Sequence, residues 1–235
     1  MESVYSTLST RAYQIYNKLS LGPEAKQRRA VIALAGPPGS GKSTIAEEVV
    51  RRLNEASGDK QVATVVPMDG FHLSLESLGA MPNRDEAIAR RGAAWTFDAQ
   101  GVVELVTTVR DSREDLSRVH EVPGFDHTLK DPIQNAIKIT PNIRIVILEG
   151  NWLLLDVHPW STISKLVDDT WFVDVDPKLA LTRVAKRHLA SGIEKGWAGA
   201  LLRAQRNDIA NGDLVRAKLI KPMIYVQSVE EPICQ

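Results

Sequence analysis

The segment Gly36-Pro37-Pro38-Gly39-Ser40-Gly41-Lys42-Ser43 constrains this chain more than any other stretch of it. It meets G-x-x-x-x-G-K-S/T at every fixed position. An apolar run, "RRAVIALA", precedes it, and Ile45, Ala46, Val49, Val50 and Leu53 recur at helical spacing after it. Successive backbone N–H groups can curl around an anion only with φ and ψ values that glycine adopts cheaply. The helix that follows aims its unpaired N–H groups and the positive end of its dipole at the same anion. Lys42 then brings a point charge to the β and γ oxygens of a nucleotide, and the Ser43 hydroxyl is suited to ligate Mg²⁺. Gly36, Pro37, Pro38, Gly39, Ser40, Gly41, Lys42, Ser43 and Thr44 are therefore the candidate ATP-binding residues.

Such a loop needs a strand before it and a helix after it, and the rest of the chain continues that alternation. "VATVVPMD", "IRIVILEG", "TWFVDVD" and "PMIYVQSV" read as strands, the first as a buried one and the second as the strongest of the chain. Between them, "DAQGVVELVTTVRD" reads as a helix capped by Asp98, and "PKLALTRVAKRHLASG" as one with Pro177 in its first turn. "HPWSTISKLVDD" and residues 196–215 add further helix. This order implies a three-layer α/β/α fold with a mostly parallel central sheet. Residues 72–97 have no clean period and read as an insertion over one end of the sheet. "VHEVPGFDHTLKDP", broken by prolines and Gly124, reads as a loop or irregular hairpin. Residues 1–28 form a helical extension whose apolar residues Val4, Leu8, Tyr13, Ile15, Tyr16 and Leu19 dock on the main domain, residues 29–235.

Composition narrows the partners. Lys+Arg and Asp+Glu are both 29, so the net charge of zero gives no sign of a nucleic-acid or membrane-surface partner. The single cysteine, Cys234, excludes an internal disulfide and fits a reducing compartment. With no apolar run long enough to span a bilayer, a cytoplasmic protein is expected.

Motor, switch, ATPase and kinase all use this kind of loop. Three features separate them. The strand "VATVVPMD" ends in Asp69, which the open-sheet rule places beside the phosphate loop, where a carboxylate can take the proton from an attacking hydroxyl. "IVILEG" ends in Glu149 followed by glycine, not in the Asp-Glu pair of motor-type ATPases, and a carboxylate there can hold Mg²⁺ directly or through water. No N-K-x-D guanine-reading sequence occurs.

"PMDGFHL" (67–73), "RRGAAWTFD" (90–98), "VPGFDHTLKDP" (122–132) and "LEGNWLLLD" (148–156), in this order, resemble the phosphoribulokinase/uridine kinase family, and within it the branch of bacterial-pantothenate-kinase-like small-molecule kinases. The resemblance implies ATP- and Mg²⁺-dependent phosphoryl transfer to a hydroxyl of a small metabolite. Asp69 matches the family's catalytic aspartate and Glu149 its metal-side acid. "TRVAKRHLASGIEKG" stands where the family carries a basic lid, which sets the lid at about 187–203, with Arg187 as a catalytic and Arg183 as a nucleotide-binding candidate. Arg203, Arg206, Asn207, Asp208 and Asn211 are further candidates near the ligands.

The acceptor pocket should face Asp69. His72, Arg91, Trp95, Phe125, His127 and Asn151 are its candidate residues, with Phe97 and Trp152 close by, a set that suits a polar metabolite bearing rings or an anionic group. Asp69-Gly70-Phe71-His72 departs from the aspartate-serine-phenylalanine-tyrosine of a typical uridine kinase, so nucleoside-like, pantothenate-like and sugar acceptors all remain open, as does a homodimer. The competing reading is a P-loop ATPase acting as a nucleotide-dependent binding or assembly switch.

Overall fold

The computed structural model describes residues 1–20, 29–58, 60–111, 116–126 and 128–230, so His127 and Cys234 lie outside the described residues. Strands β1 (Ala30–Ala35), β2 (Ala63–Pro67), the pair β3 (His120–Asp126) and β4 (Asp131–Ile139), β5 (Ile145–Gly150), β6 (Asp169–Val175) and β7 (Ile224–Ser228) follow one another along the chain. Five of them form one parallel sheet in the order β2-β5-β1-β6-β7. β1 and β5 are buried at every position, as strands covered on both faces must be.

The period-2 alternation of β1 sends its side chains into two cores. Val31, Ala33 and Ala35 join Val146, Leu148 and Phe172 beneath α5 (Ala99–Asp111) and the indoles of Trp152 and Trp160. Ala30, Ile32 and Leu34 join Ile147, Trp171 and the buried faces of α1 (Glu2–Ser20) and α2 (Lys42–Ala56). Asp98 caps α5 as expected, its Oδ1 accepting from the Gly101 N–H at 2.9 Å. Asp176 caps α7 (Pro177–Ala190) in the same way through Lys178 and Leu179. The insertion contains two short helices, α3 (Leu75–Gly79) and α4 (Arg84–Ala89), and α6 (Ile163–Leu166) is equally short. α8 (Trp197–Arg203) runs through a π-helical turn, Ala204–Ile209, into α9 (Ala210–Ala217).

Two expectations need correcting, and a third narrows to one of its alternatives. β2 is an edge strand with only β5 beside it, so Thr64, Val65 and Pro67 are half-buried. The Pro/Gly-broken stretch is the irregular hairpin of its two expected forms, an antiparallel ribbon with a register shift between Val122 and Gly124. On α1, Leu8 and Ala12 are buried with Val4, Ile15, Tyr16 and Leu19 packed around them, but Tyr13 points to solvent at 54% exposure. Its position falls off the apolar stripe that the helical period allows.

α1 is also pinned by charge. Arg11 reaches the Asp169 carboxylate with Nε at 2.5 Å and Nη2 at 3.1 Å, and the Trp171 indole N–H donates to the same carboxylate at 2.7 Å. The Asp169 side chain is almost wholly buried, so loss of the arginine strands a charge. Arg11→Ala should therefore lower the unfolding free energy in urea by about 1–3 kcal/mol, and adding Asp169→Asn should recover part of that loss.

Candidate active site

The register of the three central strands builds the site. Leu34 of β1 and Pro67 of β2 both sit opposite Glu149 of β5, so all three strands end at one edge. The phosphate loop leaves β1 at that edge, and the turn Met68–Phe71 carrying Asp69 leaves β2 there. Gly39 at φ +79° and Gly41 at φ +82° hold the loop in the left-handed region that a side chain would resist. Pro37, Pro38 and Ser40 are buried beneath it, Gly36 closes β1, and Ser43 and Thr44 are exposed on the first turn of α2. Ser40 Oγ is buried without a hydrogen-bond partner.

Lys42 Nζ stands 3.5 Å from Glu149 Oε1, with both side chains about nine-tenths buried. Burial pushes the Glu149 carboxyl up, Lys42 pulls it down, and the charge of Asp69 pushes it up again. Ser43 and Lys42 also favour the ionised carboxyl. A buried lysine–carboxylate pair thus stands at the strand edge beside the Ser43 hydroxyl and the Asp69 turn.

On the other side of Asp69, the ends of the insertion are stitched together. Leu73 N–H donates to Thr96 O and Asp98 N–H to Phe71 O, so the segment around His72 pairs with the segment around Phe97. His72 Nδ1 lies 2.8 Å from Asp69 O. As the donor to that carbonyl, Nδ1 carries the proton of the neutral ring and Nε2 is left as an acceptor. Phe97 and Phe125 flank the imidazole at ring centroid distances of 4.0 Å and 4.9 Å. Burial holds the His72 pKa below its ordinary value; the charge of Asp69, its carbonyl bond and Asp131 oppose this, and Arg91 adds to it. The β3–β4 ribbon approaches Asp69 closely because Gly70 has no side chain; a Cβ there would strike the Pro123 carbonyl.

Arg91 acts as a strap between the insertion and the ribbon. Its terminal nitrogens donate to Leu73 O at 2.9 Å, to Asp131 Oδ1 at 2.5 Å and to Lys130 O, and its guanidinium lies 5.7 Å from the Phe125 ring centroid. Only Nε is left, buried without a partner, as is Asn151 Oδ1. Trp95 is exposed and makes no hydrogen bond or ring contact among the described residues, so the structure does not join it to His72, Phe125 and Arg91. The lid candidates differ as well. Arg183 donates to Gly39 O, Ser228 Oγ and Val229 O, bracing the phosphate loop against the end of β7. Arg187 is largely exposed and pairs with Asp208 at 3.5 Å, where His188 Nε2 also lies at 3.3 Å.

The roles of Trp152, Asn207 and Asn211 were not evident from the motifs. Trp152 Nε1 and Asn211 Nδ2 both donate to Gly92 O, and Asn207 Nδ2 donates to Arg91 O. Arg90 returns the grip through Arg206 O and Asn211 Oδ1. The sequence marks Asn207 and Asn211 only as near the ligands and Trp152 only as near the pocket; that all three grip the Arg91–Gly92 backbone follows from the fold.

Comparison with known proteins agrees with this geometry. The model of the "Phosphoribulokinase / Uridine kinase family" matches residues 31–192. A Schizosaccharomyces pombe protein named "Putative uridine kinase C227.14" is 39% identical over 97% of this chain and 92% of its own length. An Aspergillus versicolor "ATP-dependent kinase-like protein notR'" is 43% identical over 69% of this chain and 92% of its own. Among solved structures, YFH7 from Saccharomyces cerevisiae superposes with a TM-score of 0.84 at 24% identity, over 97% of this chain and 99% of that one. A structure described as a "putative fructose transport system kinase" from Silicibacter sp. TM1040 gives 0.74 at 30% identity, over 91% and 97%.

Because burial holds His72 neutral, the unfolded chain binds its proton first as pH falls. The stability linked to His72 is complete above the ordinary histidine value of 6.5 and is lost on acidification below it. His120, also lowered mainly by burial, adds a parallel slope. Urea melts from about pH 7.5 to about pH 5 should show a shallower loss for His72→Phe than for the unaltered protein.

Proposed function

The chain belongs to the phosphoribulokinase/uridine kinase family, and on that premise we propose that it transfers the γ-phosphoryl group of ATP to a hydroxyl of a small metabolite. It is a P-loop, ATP-dependent kinase of small metabolites; the acceptor hydroxyl and the residue roles are the proposed part. One observation carries them. Asp69 follows β2 two residues after Pro67, which sits level with Glu149, the partner of Lys42, and its own carbonyl lies 2.8 Å from His72 Nδ1, where the aromatic side of the site begins. In this reading Asp69 stands between the group that would hold the phosphates and the group that would hold an acceptor.

In this reading the Asp69 carboxylate accepts the acceptor's hydroxyl proton as its oxygen bonds to the γ phosphorus. The bond from that phosphorus to the β,γ-bridging oxygen breaks, and ADP leaves. Lys42 and the loop N–H groups stabilise the charge that spreads over the transferring oxygens. The donor set fits Mg²⁺: Ser43 and Glu149 offer hard oxygens at the same strand edge, while no cluster of three His, Cys, Asp or Glu among the described residues could cage a metal alone. Magnesium takes one or two protein oxygens and completes its shell with phosphate and water; bound there it would neutralise the β and γ oxygens. Arg187, exposed on the lid candidate, is the arginine free to swing inward by exchanging Asp208 for phosphate.

His72 Nε2, the Phe125 ring, Arg91 Nε and Asn151 Oδ1 are the groups proposed to meet the acceptor. Their mixture of one aromatic face and several single polar atoms favours a polar hydroxyl compound with a ring. The uridine kinase name of one relative and the fructose name of another fall within that class, and a pantothenate-like acid remains inside it. The absence, among the described residues, of a helix long and apolar enough to cross a membrane is compatible with work on a dissolved metabolite in the cytoplasm.

Acceptor-stimulated ADP release across nucleosides, vitamins and sugars tests the proposal. A productive acceptor should yield one phosphomonoester per ADP, and Asp69→Asn should lower that rate by about 10²–10⁴ while ATP binding persists. ATP hydrolysis indifferent to every small alcohol and raised only by a protein partner would instead establish the switch.

A further inference from the structure

α1 precedes the segment that the family model matches, yet its first turns stand beside the phosphate loop. A pocket of about 260 Å³ opens there, walled by Met1 and Tyr5 of α1, Gly41 and Thr44 at the start of α2, Arg183 of α7, and Val229 just after β7. Its volume is below the roughly 300–1,000 Å³ of pockets that take a whole ligand, so it suits one flat ring system attached to something held elsewhere. Gly41 is also part of the phosphate loop, and a triphosphate seated in that loop would have its nucleoside end emerge here.

Two of the lining side chains, Arg183 and Tyr5, suit a flat ring. Arg183 has its terminal nitrogens committed to Gly39 O at 3.2 Å, Ser228 Oγ at 3.0 Å and Val229 O at 2.9 Å. A guanidinium fixed by its in-plane donors keeps its broad faces for stacking. Tyr5 is half-buried against the core between α1 and α2, and its ring is held from one side by Arg52, whose guanidinium carbon is 5.3 Å from the ring centroid. Arg52 in turn is gripped by both oxygens of Glu2 at 2.7 Å and by Glu48 at 2.6 Å. The aromatic wall is therefore positioned before any ligand arrives, which lowers the ordering cost of binding.

We propose that α1 is part of the donor site: Tyr5, steadied by Arg52, and the platform of Arg183 enclose the base of the nucleoside triphosphate. The first helix thereby distinguishes a nucleotide from bare polyphosphate. This rests on the kinase reading only in taking the loop as a triphosphate site; it does not depend on which acceptor is used or on whether transfer occurs.

The test is calorimetric titration of the full chain, without acceptor, against ATP and against inorganic tripolyphosphate, each with Mg²⁺. Tyr5→Ala should weaken ATP by about tenfold or more, in line with the loss of one base–aromatic stack, and leave tripolyphosphate within about twofold. Tyr5→Phe should bind both ligands as the unaltered protein does. Tyr5→Leu, which keeps the bulk packed against α2, should reproduce the Ala result with no loss of thermal stability, separating a lost stack from unfolding. Equal weakening of both ligands, or no weakening of either, would overturn the inference. An unaltered protein that binds neither ligand would overturn it together with the nucleotide reading of the loop. Tyr5-sensitive ATP binding with no acceptor ever phosphorylated would overturn the transfer reaction and leave the base wall standing.

Discussion

Parallel pairing of β2, β5 and β1 is the constraint from which the rest of this structure follows. Parallel strands joined by crossovers all end on the same side, and ligands of such sheets gather outside their carboxyl ends. Here the pairing puts Glu149 level with Leu34 on one side and with Pro67 on the other. A slip of one residue in either register would turn Glu149 away from Lys42, or carry the Asp69 turn out of reach of both. The two dry cores above and below the sheet hold that register, because each strand commits alternate residues to each face.

A second consequence is electrostatic. Lys42 and Glu149 are paired at an edge where burial limits screening, and the Glu149 carboxylate feels both that ammonium and the charge of Asp69. Such an arrangement is costly without a cationic or phosphate-bearing partner, and buried charge held in this way is more often found where chemistry occurs than where only stability is at stake. The insertion, the ribbon and the helices from Trp197 to Ala217 close around the same edge. Asn207 and Asn211 hold the Arg91–Gly92 backbone, and Gly212 brings α9 against Pro37 of the loop. A movement of the lid helices would therefore be felt on both the phosphate and the acceptor sides.

The parts of this arrangement that depend on local sequence were legible before any coordinates. The phosphate loop, the strand ends at Asp69 and Glu149, the cap at Asp98, the helix that opens on Pro177 and the docking of α1 each follow from a spacing or a residue type that permits little else. The family expected from four short segments is the family whose model matches. What sequence could not supply was pairing at a distance. Whether β2 lies at an edge, and whether Arg183 and Arg91 face ligand or brace backbone, depend on groups far along the chain, such as Ser228 for Arg183 and Asp131 for Arg91. Trp95 shows the same limit, since an aromatic in a motif-like segment can face solvent when the turn that carries it does.

The account stands or falls on where Asp69 points when both substrates are bound. A crystal structure with a non-hydrolysable ATP analogue and a productive acceptor measures this directly. It should place an Asp69 carboxylate oxygen within about 2.6–3.2 Å of the acceptor hydroxyl, with that hydroxyl aimed at the γ phosphorus. An Asp69 side chain turned into the protein, with the hydroxyl held by some other group, would contradict it.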